Sequence, residues 1–271
     1  MTDDNALSLF ISSETLPTRS LLADLFHEFH RIPYEDAAQM AKHSWGFLGE
    51  NMAADETARM ADVASSQHME TRSIPSVQER SIQSEPPRHT AQVRFDDKQL
   101  TFIHDDTTSA EWSWEQVRIL SAAPLKEESV SVQTIQQGPS AGARAAGLAV
   151  TALTGIPLNF GGRKKEIKKE TVRTELIFVM DVLAGPDLRR WSLRSDDLDF
   201  SCLGSEKTYS SQTNFRILLL RWAERSSTAL KNSGVHAFRN NRPLYELGYE
   251  TAADYEKELR RLLVLDSLNN V

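Results

Sequence analysis

SSQTNFRILLLRWAERSSTAL, residues 210–230, places Phe215, Leu218, Leu219, Trp222 and Ala223 at i, i+3, i+4, i+7 and i+8. At 3.6 residues per turn these five fall on one stripe, so the spacing predicts an amphipathic helix with Thr213 available as its cap. What precedes it has a different period. AQVRFDDKQLTFIHDD, residues 91–106, reads as two strands turning at Asp96-Asp97, with Val93 and Phe95 followed by Leu100, Phe102 and His104. EWSWEQVRILSAAPLKEE, residues 111–128, carries Trp112, Trp114, Val117 and Ile119 as strand-type residues. VRTELIFVMDVLA, residues 172–184, is the most apolar strand of the chain, and RRWSLRSDDLDFSCLG, residues 189–204, supplies one or two more.

After the helix comes a tail, residues 232–271. There Thr251 is placed to cap a last helix bearing Tyr255, Leu259, Leu262, Leu263 and Leu265. Strands followed by one amphipathic helix, with FDDKQLTFIHDDTTSAEWSWEQVRILSA at residues 95–122 as the most suggestive part, resemble the bacterial pleckstrin-homology-like fold. That resemblance implies a split β-barrel plugged by its C-terminal helix over residues 91–231, with the tail packed on the outside. Trp112, Trp114, Trp191 and Trp222 are read as core filling, since large aromatics bury much area where a small barrel closes.

An insertion at about residues 126–165 interrupts this unit. Its distinctive part is AGARAAGLAVTALTGIPLNFGGRKKEIKKE, residues 141–170. The apolar run from Ala145 to Phe160 is 16 residues, broken by Thr151, Thr154 and Pro157, short of the roughly 20 that span a bilayer. The glycines lack the phosphate-loop spacing. Arg144, Leu148, Ile156, Leu158, Phe160, Arg163, Lys164 and Lys165 make this insertion the candidate interaction surface. Its basic cluster also offers weak contact with an anionic membrane.

Residues 1–75 form a separate pattern. ALSLFISS is a strand; TLPTRSLLADLFHEFHR is a helix with Leu21, Leu22, Leu25, Phe26 and Phe29 on one stripe. YEDAAQMAKHSW is a second helix stopped by Gly46, FLGENM a strand, AADETARMADVASSQH a third helix, and METRSIP a closing strand. The order β-α-α-β-α-β predicts a small α/β sandwich with helices on one face of a sheet. It resembles the C-terminal domain of the bacterial ribosomal stalk protein and the Clp-protease N-degron adaptor. The stalk domain meets translation factors through lysines on its paired helices, where this chain offers only Lys42. The adaptor grips an amino group with acids after the first strand and a histidine late in the second helix, where this chain has Glu14 and His43. His27 and His30 are three apart on a helix, not the four of H-E-x-x-H, and are read as a helix face and not a metal site.

Residues 76–90, with Pro86-Pro87 and only Val77 and Ile82 as apolar anchors, are predicted to be a flexible tether. The whole fold class is therefore α+β in two units. Charge follows the same division. Residues 1–90 hold 14 Asp and Glu against 7 Lys and Arg, whereas residues 91–271 hold 24 of each. A net charge of -7 argues against nucleic acid as a partner. One cysteine, Cys202, precludes an internal disulfide, and the acidic N-terminus is unlike an export signal, so the cytoplasm is expected.

No zincin, G-x-S-x-G, phosphate-loop, dinucleotide or C-x-x-C motif occurs. Cys202 between Phe200 and Leu203 reads as a core thiol. No catalytic residue, cofactor or metal ligand is therefore expected. The reading is a non-catalytic two-module binding or adaptor protein with a protein partner. The alternatives are peripheral membrane association through residues 141–169, and an enzyme without a recognisable motif.

Overall fold

A computed structural model describes residues 6–82, 84–104, 108–137, 165–242 and 249–270. The chain divides into two compact units, residues 1–125 with 176–271, and residues 126–175. Of the second unit, the backbone is extended up to Gln137 and again from Lys165. The mixed α+β architecture of the first unit is built in layers around its last helix.

The first layers follow the predicted order: β1 (Leu7–Ile11), α1 (Arg19–His30), α2 (Tyr34–Ser44), β2 (Phe47–Met52), α3 (Ala54–Ser66) and β3 (Thr71–Pro75). The strands form an antiparallel sheet ordered β2-β1-β3. Alternation along β1 decides what covers each face. Leu9 and Ile11 pack with Leu22, Leu25, Phe26 and Met60 beneath the helices. Phe10 points the other way, into a cluster with Phe47, Ile74, Leu259, Leu262 and Leu263.

Residues 76–90 are not the tether that their composition predicts. Ser76–Ser81 form the short helix α4, and Arg88–His89 form β4, parallel to Trp191–Ser192. The reason lies in polar contacts, not apolar anchors. Ser76 N donates to Ala6 O at 2.8 Å, and the Ser76 and Ser8 hydroxyls meet at 3.0 Å. Glu79 is buried against Arg260, 3.1 Å away. Val77, the expected anchor, is half exposed.

Beyond it, β5 (Gln92–Phe95), β6 (Gln99–His104) and β7 (Thr108–Ser113) form an antiparallel meander. Its first turn is fixed by the Asp96 carboxylate, which accepts from Lys98 N at 2.7 Å and Gln99 N at 2.9 Å. Trp114 does not continue a strand. Ser113 and Gln116 form a reciprocal capping box around a 3-10 turn at Trp114–Gln116, which separates β7 from β8 (Val117–Gln137). A five-stranded sheet follows, ordered β11-β8-β9-β10-β4, with β9 at Lys165–Ala184, β10 at Arg189–Arg194 and β11 at Leu230–Lys231.

None of the described sheets closes into a barrel, so the expected split barrel is not confirmed. A barrel has one inside, whereas the five-stranded sheet is covered on both faces. Phe178, Met180, Val182, Trp191 and Leu193 face a core shared with Phe102 of the meander and with α5 (Ser211–Arg225). Leu183 and Ile119 face α7 (Ala252–Asn269). On α5, Phe215, Leu218, Leu219, Trp222 and Ala223 are all buried, as their spacing predicts, but the cap is Ser210 and not Thr213. Trp222 meets Phe95, Phe102 and Trp114 edge-on at about 6 Å, and Phe102 stacks on Trp191 at 4.8 Å.

The tail contributes α6 (Ser233–Arg239) and α7, capped by Thr251 through a reciprocal box with Asp254. It does not merely lie outside the β elements. Helix α7 runs between the β2-β1-β3 sheet and the five-stranded sheet, with Leu259, Leu262, Leu263, Val264 and Leu265 all buried; each such side chain contributes about 1.5–3 kcal/mol. Its polar side chains pin both neighbours. Tyr255 donates to Asp181 of β9 at 2.8 Å, and Arg190 of β10 bridges Asp181 and Glu256. Burial acts to lower the Arg190 pKa, but those two carboxylates outweigh it and raise it. On the other side Arg261, with 0% exposure, donates to Ile11 O, Ser13 O and Glu14 O at 2.7–3.1 Å. Gly46, at φ +86°, leaves room for that side chain: a Cβ there would lie 2.5 Å from Arg261 Cδ.

Arg261→Ala leaves three carbonyls without their charged donor. Urea denaturation should show a loss of about 3–5 kcal/mol; a loss below about 1 kcal/mol would mean that the guanidinium is not holding the turn after β1.

Candidate functional site

The turn fixed by Arg261 forms one wall of a cleft of about 270 Å³. That wall comprises Thr15, Leu16, Pro17, Thr18 and the start of α1 at Arg19 and Leu22. Lys42 and Trp45, at the end of α2, form a second wall, and Ser233, His236, Ala237, Asn240 and Arg242 on and after α6 form a third. Leu16, Leu22, Trp45 and Ala237 make the apolar lining. Arg19, Lys42, Arg242 and His236 supply the basic groups, and no carboxylate is among the described lining residues.

Each wall is held from behind. Trp45 occupies the left-handed region after α2 and donates from its indole to Asp254 Oδ1 at 2.9 Å. Its ring lies face to face with Tyr249 at 4.3 Å, and the Arg19 guanidinium carbon is 5.8 Å from the ring centre. Tyr249 donates in turn to Glu258, a fully buried carboxylate that also accepts from Ser233 N at 2.9 Å and Ser233 Oγ at 2.7 Å. Burial first, then the Glu258 charge and hydrogen bond, raise the Tyr249 phenol well above its usual range, so it remains a donor. Asn232 caps α6 and clamps Ala122 of β8 through both its N–H and C=O. Gly234 makes that approach feasible, since a Cβ there would meet Ala122 O at 1.7 Å.

Lys42 and His236 are paired with carboxylates. Lys42 Nζ is 2.5 Å from Glu250, and His236 Nε2 is 2.8 Å from Glu14. Burial pushes the Glu14 carboxyl up, but the hydrogen bond and charge of His236, with Lys231 beyond, bring it below the usual carboxylate range. Arg242 has no side-chain partner among the described residues. The first turn of α1 carries no acid of its own, so its positive dipole end adds to the same field.

The structure does not bring together an amine-gripping pair from Glu14 and His43: Glu14 pairs with His236, while His43 Nδ1 lies 3.2 Å from Asp254. His27 and His30 are engaged elsewhere, the first with Ile32 O at 2.6 Å and the second against Phe26 and Phe29. No cluster of three metal-ligating side chains occurs among the described residues. Cys202 is half-buried, and burial together with Asp199 pushes its thiol up to about 11, the opposite of an activated thiolate. Arg144, Leu148, Ile156, Leu158, Phe160, Arg163 and Lys164 lie outside the described residues; Lys165 begins β9, and its side chain is likewise outside them. No described helix is long and apolar enough to cross a membrane. The cleft residues were not singled out as a site in the sequence, because they come from three segments, 15–22, 42–45 and 233–242, the last of them far along the chain from the other two.

No family model, no curated protein and no solved structure matches this chain.

Asp254 links the cleft to pH. Burial raises its carboxyl pKa, but hydrogen bonds from Trp45, His43 and the backbone of Thr251 and Glu250 bring it below the ordinary 3.8. A carboxylate whose folded pKa is depressed adds stability above the unfolded value and loses it as pH falls through the folded one. Asp254→Asn should therefore unfold more easily than the parent at pH 7. The two should converge as pH falls below the ordinary value of 3.8 and through the lower folded one, measured by urea titration across that range. A gap that stays the same size throughout would contradict this.

Proposed function

We propose that the protein is a non-catalytic binding or adaptor protein of two modules, and that it captures its partner in this cleft. The observation that carries the reading is the lining: basic side chains around an apolar floor, with no carboxylate among the described lining residues. Structural carboxylates stand behind the lining at Glu14, Glu250 and Glu258, where they orient basic and hydroxyl groups. The side chains so positioned make binding contacts, and the one free thiol is raised in pKa instead of activated. The resemblance to pleckstrin-homology-like modules enters only as an order of elements, strands followed by an amphipathic helix that packs on them.

Thr15 and Asn240 are exposed lining residues, so Thr15→Trp and Asn240→Trp can fill the cleft without disturbing the core. Quantitative affinity capture from native cells should recover a partner with the parent protein and lose it with both variants. Equal recovery by parent and variants would place binding elsewhere and overturn this reading.

A further inference from the structure

We infer that the occupant of the cleft is the C-terminal residue of a partner chain, with its free carboxylate facing Arg242 and an aliphatic side chain on Leu16, Leu22 and Ala237. This rests on the binding reading above and adds the chemistry of the ligand. Charge sets the anion. Lys42 and His236 are already balanced by Glu250 and Glu14. Arg242 has no ion-pair partner among the described residues, and the Arg19 guanidinium lies over the Trp45 ring. A carboxylate with one negative charge is matched without breaking either existing pair.

Size and surface set the rest of the ligand. A cleft of about 270 Å³ lies below the roughly 300–1,000 Å³ of drug-sized sites. It accommodates one residue, not a cofactor. Leu16, Leu22, Ala237 and the Trp45 ring give that residue an apolar bed, which disfavours a polar last side chain. A chain terminus combines the two features at fixed spacing, an anionic end and a side chain on the same Cα. Capture of a terminal carboxylate is also an established mode of peptide recognition.

Calorimetric titration of the full chain with a short peptide ending in leucine tests this. The comparison ligands are the same peptide as its C-terminal amide, and N-acetyl-leucine. The free-acid peptide should bind about ten-fold or more tighter than the amide, the loss expected for one hydrogen bond to a charged group. Arg242→Glu should abolish that preference, while Arg242→Lys keeps part of it. Arg242 is exposed, and an unchanged unfolding midpoint verifies that each variant is folded. Equal binding of acid and amide, a preference that survives Arg242→Glu, or no binding of either peptide would each overturn the inference. N-acetyl-leucine binding as tightly as the peptide would overturn the chain terminus in favour of a free acid. If Thr15→Trp and Asn240→Trp release a captured partner while the peptides fail, the binding reading stands and only the carboxylate falls.

Discussion

Arg261 buries a guanidinium and spends it on three backbone carbonyls of the turn after β1. Burial lowers its pKa, partly offset by the charges of Glu258 and Tyr249 and of Glu14, yet an arginine remains charged under these conditions. A buried charge without partners would be intolerable, so the turn must hold its carbonyls where they are. That requirement fixes the wall formed by Thr15, Leu16 and Pro17. Gly46, which leaves room for the Arg261 stem, and Trp45 beside it are constrained by the same packing.

The other half of the clamp is made by the same helix. Tyr255 and Glu256 fasten α7 to Asp181 and Arg190 of the five-stranded sheet, and Asp266 forms a two-point pair with Arg118. Glu258 faces α6 and orients Ser233. One helix thus organises the segments that line the cleft, although only its partners reach the lining. Its polar groups do what apolar packing cannot do alone, because a hydrogen-bonded pair is satisfied at one register of helix against sheet.

Local periodicity was readable wherever one face of an element is apolar. The stripes on α1, α5 and α7, the β-α-α-β-α-β order and the Thr251 cap all appear where the spacing puts them. What failed did so because the deciding contacts are non-local or polar. The Trp112–Ile119 alternation hides a 3-10 turn, whose signal was Gln116 three residues after Ser113. The stretch after Pro75 has few apolar residues, but Ser76 and Glu79 are held by hydrogen bonds and an ion pair. The split barrel is not confirmed because none of the described sheets closes, and nothing in β8, β9 and β10 states which helix covers their second face. The cleft is less legible still: Glu14 and His236, or Trp45 and Tyr249, carry no mutual signal along the chain.

The clamp by α7 is tested most directly by native-state hydrogen exchange. If α7 joins the two sheets, protected amides of β1, β9 and α7 should share one opening free energy and lose protection together as denaturant is added. Amides of β1–β3 that open at a lower free energy, while β9 and α7 stay protected, would contradict it.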